Sequence, residues 1–160
     1  MKYNAITQAE YDFLTKRINE LESAQKVALK DLKHALNYGS ETWHDNDMYD
    51  TAKNKQNELN NEKKKIEQVL RSSKIISTPT KSKSVVVIGT VVLLRDQESD
   101  EILTLSIGGS EAYRMGDNWI SLDSPLGKYI KGKKQGDVIT AKLPAKTTTY
   151  KIESVNIIDN

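Results

Sequence analysis

Apolar residues recur every three and four positions through the first part of the chain. Tyr11, Leu14, Ile18 and Leu21 open the series, and Gln25, Ala28, Leu32 and Ala35 continue it. This is a heptad seam, apolar except at Gln25, and it predicts a helix with one face to cover. Neither Gly nor Pro occurs between Met1 and Tyr38. A helix over about 8–38 would be ~46 Å long at ~1.5 Å per residue. Thr7 is a candidate N-cap, and Glu10 completes a capping box with it. Gly39 and Ser40 break the pattern. A second helix is expected from near Asn46, where Ala52, Gln56, Leu59, Lys63, Ile66 and Leu70 repeat at four and three. One face of a lone helix this long would stay wet, so the two are expected to pair as an antiparallel coiled-coil hairpin. Gly39 to Asp45 then forms its tip.

The helical period ends near Ser72 and Ser73. Residues Thr78 to Ser84 are polar, include Pro79 and read as a linker. From Val85 the period becomes that of strands. Strands are expected at Val85 to Ile88 and Val91 to Leu94, on either side of a bend at Gly89. Ile102 to Ile107 alternates, and Asp96 to Asp100 supplies the hairpin turn. Two further strands are expected at Val138 to Leu143 and Thr148 to Ile157. Ser124 to Lys131 is a short helix candidate, with Ser124 as N-cap and Pro125 at its first position. The predicted fold class is α+β. Residues 1–76 form the helical hairpin, 77–84 the linker, and 85–160 a small antiparallel β-sheet domain with one short helix.

Composition narrows the function classes. A hydrophobic fraction of 37% with 29% charged residues suits an extended helical part joined to a small globule. The formal net charge is only +2, which gives little reason to expect tight non-specific DNA binding. The absence of cysteine excludes disulfides, thiolate nucleophiles and cysteine-held zinc. No apolar run reaches the roughly 20 residues needed to span a bilayer. Met1 to Glu10 lacks the apolar core of a signal peptide. A cytoplasmic protein with no membrane partner is the expectation.

The stretch Ile120-Ser121-Leu122-Asp123-Ser124-Pro125-Leu126-Gly127-Lys128, followed by Gly132-Lys133 and Gly136-Asp137-Val138, resembles the C-terminal signature of the Gre transcript-cleavage factors. Tyr150 to Ile157 looks like that family's last strand. Ala35 to Gly39 looks like the end of its first helix, and Asn46, Tyr49, Ala52 and Gln56 look like the opening of its second. The resemblance covers nearly the whole chain and implies an FKBP-like C-terminal domain. It also implies a coiled coil with an acidic tip that enters the secondary channel of bacterial RNA polymerase. The resemblance further implies a factor with no catalytic residues of its own, which acts as a monomer and meets the nascent RNA 3′ end only indirectly. Asp123, Ser124 and Pro125 match the segment that grips the polymerase helical hairpin at the channel entrance. Ser-Pro is also a good helix start, and the two roles are compatible.

The tip departs from the family norm. Anchored on Asn46 and Tyr49, it reads Thr42-Trp43-His44-Asp45-Asn46, with Thr42 where the family has aspartate and Asp45 where it has glutamate. Glu41 and Asp47 stand nearby to compensate. Glu41, Asp45, Asp47 and Asp50 fall within ten residues, with no lysine or arginine among them. Hard oxygen ligands suit Mg²⁺, which takes one or two protein carboxylates and keeps several waters. Such a loop is a poor Mg²⁺ site alone. The resemblance implies that Asp45, with Glu41 and Asp47, helps hold an Mg²⁺ shared with the polymerase active centre.

Plainer roles compete at each position. Asp45 or Asn46 can cap the second helix, and Asp47 can favour its positive end. Trp43 can pack on Tyr49 to staple the turn, and Tyr49 can contact RNA or simply pack. His44 reads as a polar loop residue. Lys30, Lys33, Lys53 and Lys55 read first as a solvated face. Three rival functions remain: a Gre-like factor that occupies the channel and modulates polymerase without cleavage, a prolyl isomerase, and a structural adaptor. The second is weak, because fold alone is poor evidence and the C-terminal domain has one tryptophan, Trp119, no phenylalanine (Phe13 lies elsewhere) and few aromatics to line a proline pocket.

Overall fold

A computed structural model describes residues 4–38, 47–78 and 85–158. The elements run β1 (Asn4–Ile6), α1 (Gln8–Tyr38), α2 (Asp47–Ser72), β2 (Ser73–Ile75), β3 (Thr90–Asp96), β4 (Ile102–Gly108), β5 (Trp119–Ser121), α3 (Pro125–Ile130), β6 (Val138–Lys142) and β7 (Thr147–Ile157). A single 3-10 turn, Ala112–Arg114, precedes β5. Among the described residues, no helix is long and apolar enough to cross a membrane.

Contacts divide the chain into two compact units, Asp12–Ser72 and a second built from Met1–Tyr11 with Ser73–Asn160. The break therefore falls at both ends of the hairpin, where a single division near residue 76 was expected. The cause is local. β1 and β2 pair in parallel, Asn4 beside Ser73 through Ile6 beside Ile75, and Ser110 N–H donates to the Ala5 carbonyl at 2.9 Å. Strands of three residues carry no readable alternation, so the sequence does not announce this pair.

Within the Asp12–Ser72 unit, Leu14, Leu21, Ala28, Leu59 and Ile66 are buried as the seam. Two polar seam positions, Gln25 and Lys63, are paired across the helices. Gln25 Nε2 donates to Asn60 Oδ1 at 2.6 Å, and Lys63 Nζ meets Glu22 Oε1 at 2.6 Å. From Glu22–Lys63 to Gln25–Asn60 the partner number falls by three as the α1 number rises by three, which is the antiparallel register. Arg17 adds a bridge to Glu62 at 2.9 Å. Being mostly exposed, such pairs contribute little, and the apolar seam does most of the holding. Tyr11, read as the first seam residue, is exposed and belongs to the other unit.

The second unit carries a five-stranded sheet in the order β5-β4-β3-β7-β6. Its pairings are antiparallel except at one edge, where β5 lies parallel to β4. The sheet is thus mixed where the sequence predicted a purely antiparallel one. Val85 to Ile88 is not a strand. It makes one isolated bridge, Val85 to Lys134, and turns at Gly89, whose φ is +90°. Val86 is fully buried there, which explains the strand-like apolar run. The core gathers Val86, Val92, Leu94, Ile107, Ile130 and Ile152 around the sheet and α3.

Candidate functional site

Glu41, Thr42, Trp43, His44, Asp45 and Asn46 lie outside the described residues. What is described at this end of the hairpin is the start of α2. Asp47 and Asp50 occupy its first turn, where carboxylates favour the positive end of the helix. Asp47 and Met48 are exposed, and Tyr49 is half-buried with Lys53 Nζ 5.7 Å from its ring centroid. An open groove of about 410 Å³ lies beside them, lined by Asp31, Ala35, Asp47, Met48, Ala52 and Lys55. The alanines Ala35 and Ala52 leave this space in the seam. Among the described residues, no three His, Asp or Glu side chains cluster as a metal site. Asp47 supplies hard oxygen donors of the type Mg²⁺ takes, and a site there needs ligands from elsewhere.

The second candidate surface surrounds the start of α3. Ser124 is the N-cap, with its Oγ accepting the Gly127 N–H at 3.0 Å and Pro125 following it. Its hydroxyl is therefore committed to the helix. Asp123 is exposed, and its N–H donates to Ser121 Oγ at 3.1 Å. Gly127 is held by crowding, since a Cβ there would lie 2.0 Å from the Ser121 carbonyl oxygen. The loop before α3 is consequently fixed in place, and it presents the Asp123 carboxylate outward. The Asp123-Ser124-Pro125 segment is thus brought together as a surface, with the side-chain capping role occupied by Ser124.

Beside this loop runs a groove of about 620 Å³, lined in part by Asn4, Ser110, Ser121, Asp123 and Lys131. Ser110 Oγ is buried and has no hydrogen-bond partner among the described residues. Sequence reasoning did not find this groove, because its walls come from four distant segments. The run Gly108-Gly109-Ser110 is the one signal that marks a close backbone approach. A Cβ on Gly109 would stand 2.0 Å from the Ala5 carbonyl oxygen.

Glu10 is the other residue whose role was read only in part. Its capping box with Thr7 is present: Thr7 N–H donates to Oε2 at 2.7 Å and Glu10 N–H donates to Thr7 Oγ1 at 3.2 Å. The same carboxylate also accepts the Gly109 N–H at 2.8 Å and the Glu111 N–H at 3.2 Å. Glu10 is fully buried. Trp119 lines a cavity of only about 30 Å³. Ligand pockets run roughly 300–1,000 Å³, so this wall offers no proline-binding pocket.

Residues 81–157 match the family model described as "Transcription elongation factor, GreA/GreB, C-term". A transcription elongation factor GreA from Clostridium kluyveri is 33% identical over 149 residues, covering 91% of this chain and 92% of that one. The GreA of Alkaliphilus oremlandii is 34% identical over 143 residues, covering 87% and 89%. Among solved structures, the GreA factor homolog 1 (Gfh1) protein of Thermus thermophilus is 24% identical, with a TM-score of 0.44 and coverage of 97% and 99%.

Proposed function

The chain belongs to the GreA/GreB family of transcription elongation factors, and from that premise we propose that it stimulates RNA polymerase to cleave its own backtracked RNA. The hairpin enters the secondary channel, and the surface around Asp123 and Pro125 docks at the channel entrance. The observation that carries this reading is the charge layout of the hairpin. Its connection holds Glu41 and Asp45, its second helix opens with Asp47 and Asp50, and no cation interrupts residues 41–50.

Asp45, Glu41 and Asp47 are the residues that would hold an Mg²⁺ jointly with the polymerase. When bound there, a second metal ion activates the attacking oxygen and stabilises the leaving one. The chain's own contribution is to deliver carboxylates. Its paired helices cover each other's apolar seams. The half-buried Tyr49 under Lys53 steadies the first turn of α2, next to the tip. The factor works as a monomer in the cytoplasm and has no complete active site. The groove at Ala35, Met48 and Ala52 is an apolar surface at the leading end.

A second reading has one observation in its favour. Thr42 replaces a tip aspartate of the family norm, so the hairpin occupies the channel with a carboxylate missing. In that case the protein modulates elongation without cleavage. The discriminating experiment adds purified protein to backtracked elongation complexes with Mg²⁺ and follows RNA length. Shortening supports the first reading, and slowed elongation with intact RNA supports the second.

A further inference from the structure

Two consecutive turns follow α3 and carry lysines that the fold does not use. Ile130 to Lys133 forms the first. The Lys133 N–H donates to the Ile130 carbonyl at 3.0 Å, Lys131 has φ −51° and ψ 123°, and Gly132 has φ +71°. This is type II geometry, which asks for Gly at the third position. Lys134 to Asp137 forms the second. It is closed by the Asp137 N–H on the Lys134 carbonyl at 3.1 Å, with Gly136 at φ +90°. Both turns are fastened to the core. Ile130 is fully buried. The Val86 N–H donates to the Lys133 carbonyl at 2.8 Å, and the Val86 carbonyl accepts the Gly132 N–H at 3.0 Å. The Gly136 N–H reaches the Ile152 carbonyl at 2.7 Å.

The fixed backbone holds a concentrated positive charge. Lys128, Lys131, Lys133 and Lys134 are exposed, and none takes part in a salt bridge among the described residues. No acidic residue occurs between Asp123 and Asp137. Asp123 precedes α3, and Asp137 Oδ2 accepts the Lys134 N–H at 2.8 Å. Lys128 and Lys131 gain a little from the negative end of α3, but Lys133 and Lys134 lie beyond it. Like charges gathered on one surface repel, and an anion among them relieves that cost.

The chemistry of the surface selects among anions. The N–H groups of Gly132, Lys133, Lys134 and Gly136 are all committed within the fold, so a lone phosphate finds no backbone cradle there. Residues 131–136 hold no apolar side chain and no arginine, so a protein partner finds neither an anchor nor a bidentate fork for its carboxylates. A phosphodiester chain needs neither, because its charges repeat and separate lysines neutralise them one by one. We propose that the double turn after α3 binds the phosphodiester backbone of a single RNA strand, whatever its base sequence. Two adjacent turns make a narrow patch, which suits one strand better than two strands across a groove ~12 Å wide. The choice of RNA rests on the proposed cleavage of backtracked RNA, a reaction that supplies such a strand.

The test titrates the full-length protein, without polymerase, into labelled oligouridine over a range of KCl concentrations, read by fluorescence anisotropy. Wild type is compared with the double variants Lys133→Gln/Lys134→Gln and Lys133→Arg/Lys134→Arg. Lys64→Gln/Lys65→Gln, two exposed lysines of α2, removes the same charge elsewhere. Lys133→Gln/Lys134→Gln is expected to weaken RNA binding about fivefold or more at low salt, and to lower the slope of log affinity against log salt by about 1.4. The arginine pair should keep wild-type binding, and the α2 pair should stay close to it. Melting temperatures should match throughout, because the exchanged side chains are exposed. Wild-type protein that fails to bind RNA at low salt overturns the proposal, as does an α2 pair that loses as much affinity as the turn pair. Tighter binding of duplex DNA of the same length, or displacement of the RNA by polyglutamate at equal charge, overturns the assignment to an RNA strand. With polymerase absent, the cleavage reading stands or falls separately.

Discussion

The backbone N–H of Gly109 donates to Oε2 of Glu10 at 2.8 Å, across 99 positions of sequence. The same carboxylate takes the N–H of Glu111 through Oε1 and both the N–H and the hydroxyl of Thr7 through Oε2. One buried side chain therefore serves the first turn of α1 and the turn after β4. A carboxylate has room for about four such bonds, and this one uses them. It explains why the residues before Asp12 pack with the C-terminal unit.

Glu10→Ala should destabilise the C-terminal unit by at least about 3 kcal/mol, because it strands several buried donors at ~1–3 kcal/mol each. Glu10→Gln should cost less, since one oxygen still accepts while the new amide faces donors. Urea unfolding of the two variants measures both values. An Ala variant within about 0.5 kcal/mol of wild type would show that the hydrogen bonds contribute little.

Much of this fold is legible in the sequence, and the exceptions share a cause. The α1 and α2 bounds follow from long, regular seams, and the Ser124-Pro125 helix start follows from local chemistry. The role of Glu10 beyond its cap is hidden, because Gly109 and Glu111 become neighbours only after folding. β1, β2 and β5 are three residues each, too short to show a period. Val85 to Ile88 imitates a strand because Val86 is a core residue in an irregular segment. At the tip, the departure at Thr42 is plain in the sequence, but its chemical consequence depends on ligands another protein supplies.

Acid should loosen the C-terminal unit through Asp96. The Glu98 N–H above all, helped by the Ser99 N–H and by Lys146 at 3.6 Å, holds the Asp96 carboxyl below its ordinary value despite burial. Its folded value thus lies below the unfolded one, near 3.8. The stabilisation is present above that unfolded value and is lost as pH falls through the folded value. Asp96→Asn should therefore flatten the fall in melting temperature below pH 4, read by circular dichroism. An unchanged slope would assign acid sensitivity to other carboxylates.

Changes at the α3 entrance should weaken polymerase binding and spare the hairpin. Asp123→Ala removes an exposed charge, and Pro125→Ala keeps the Ser124 cap while loosening the first turn. Helix content by circular dichroism should match wild type, and competition binding should show the loss. Unchanged affinity in both moves the dock elsewhere.

The isolated protein should cleave no RNA. Among the described residues there is no metal cluster, and the carboxylates of residues 41–50 make a poor Mg²⁺ site without ligands from elsewhere. Incubation of labelled RNA with polymerase-free protein and Mg²⁺ checks this. Cleavage that survives further purification would mean a complete active site.

Asp45 carries the central chemistry. Asp45→Asn keeps size and capping ability but removes the charge that makes a good hard-metal ligand. Glu41→Gln and Asp47→Asn should have smaller effects, and Thr42→Asp should raise activity. A lost ligand demands more Mg²⁺, whereas a lost dock demands more protein. The decisive measurement is the rate of RNA shortening in backtracked elongation complexes, against Mg²⁺ concentration, for wild type and Asp45→Asn. Wild type should shorten the RNA, and Asp45→Asn should lose most of that rate at low Mg²⁺ while binding polymerase normally. Intact RNA with the wild-type protein bound, or equal rates and Mg²⁺ dependence for both proteins, would contradict carboxylate delivery by Asp45.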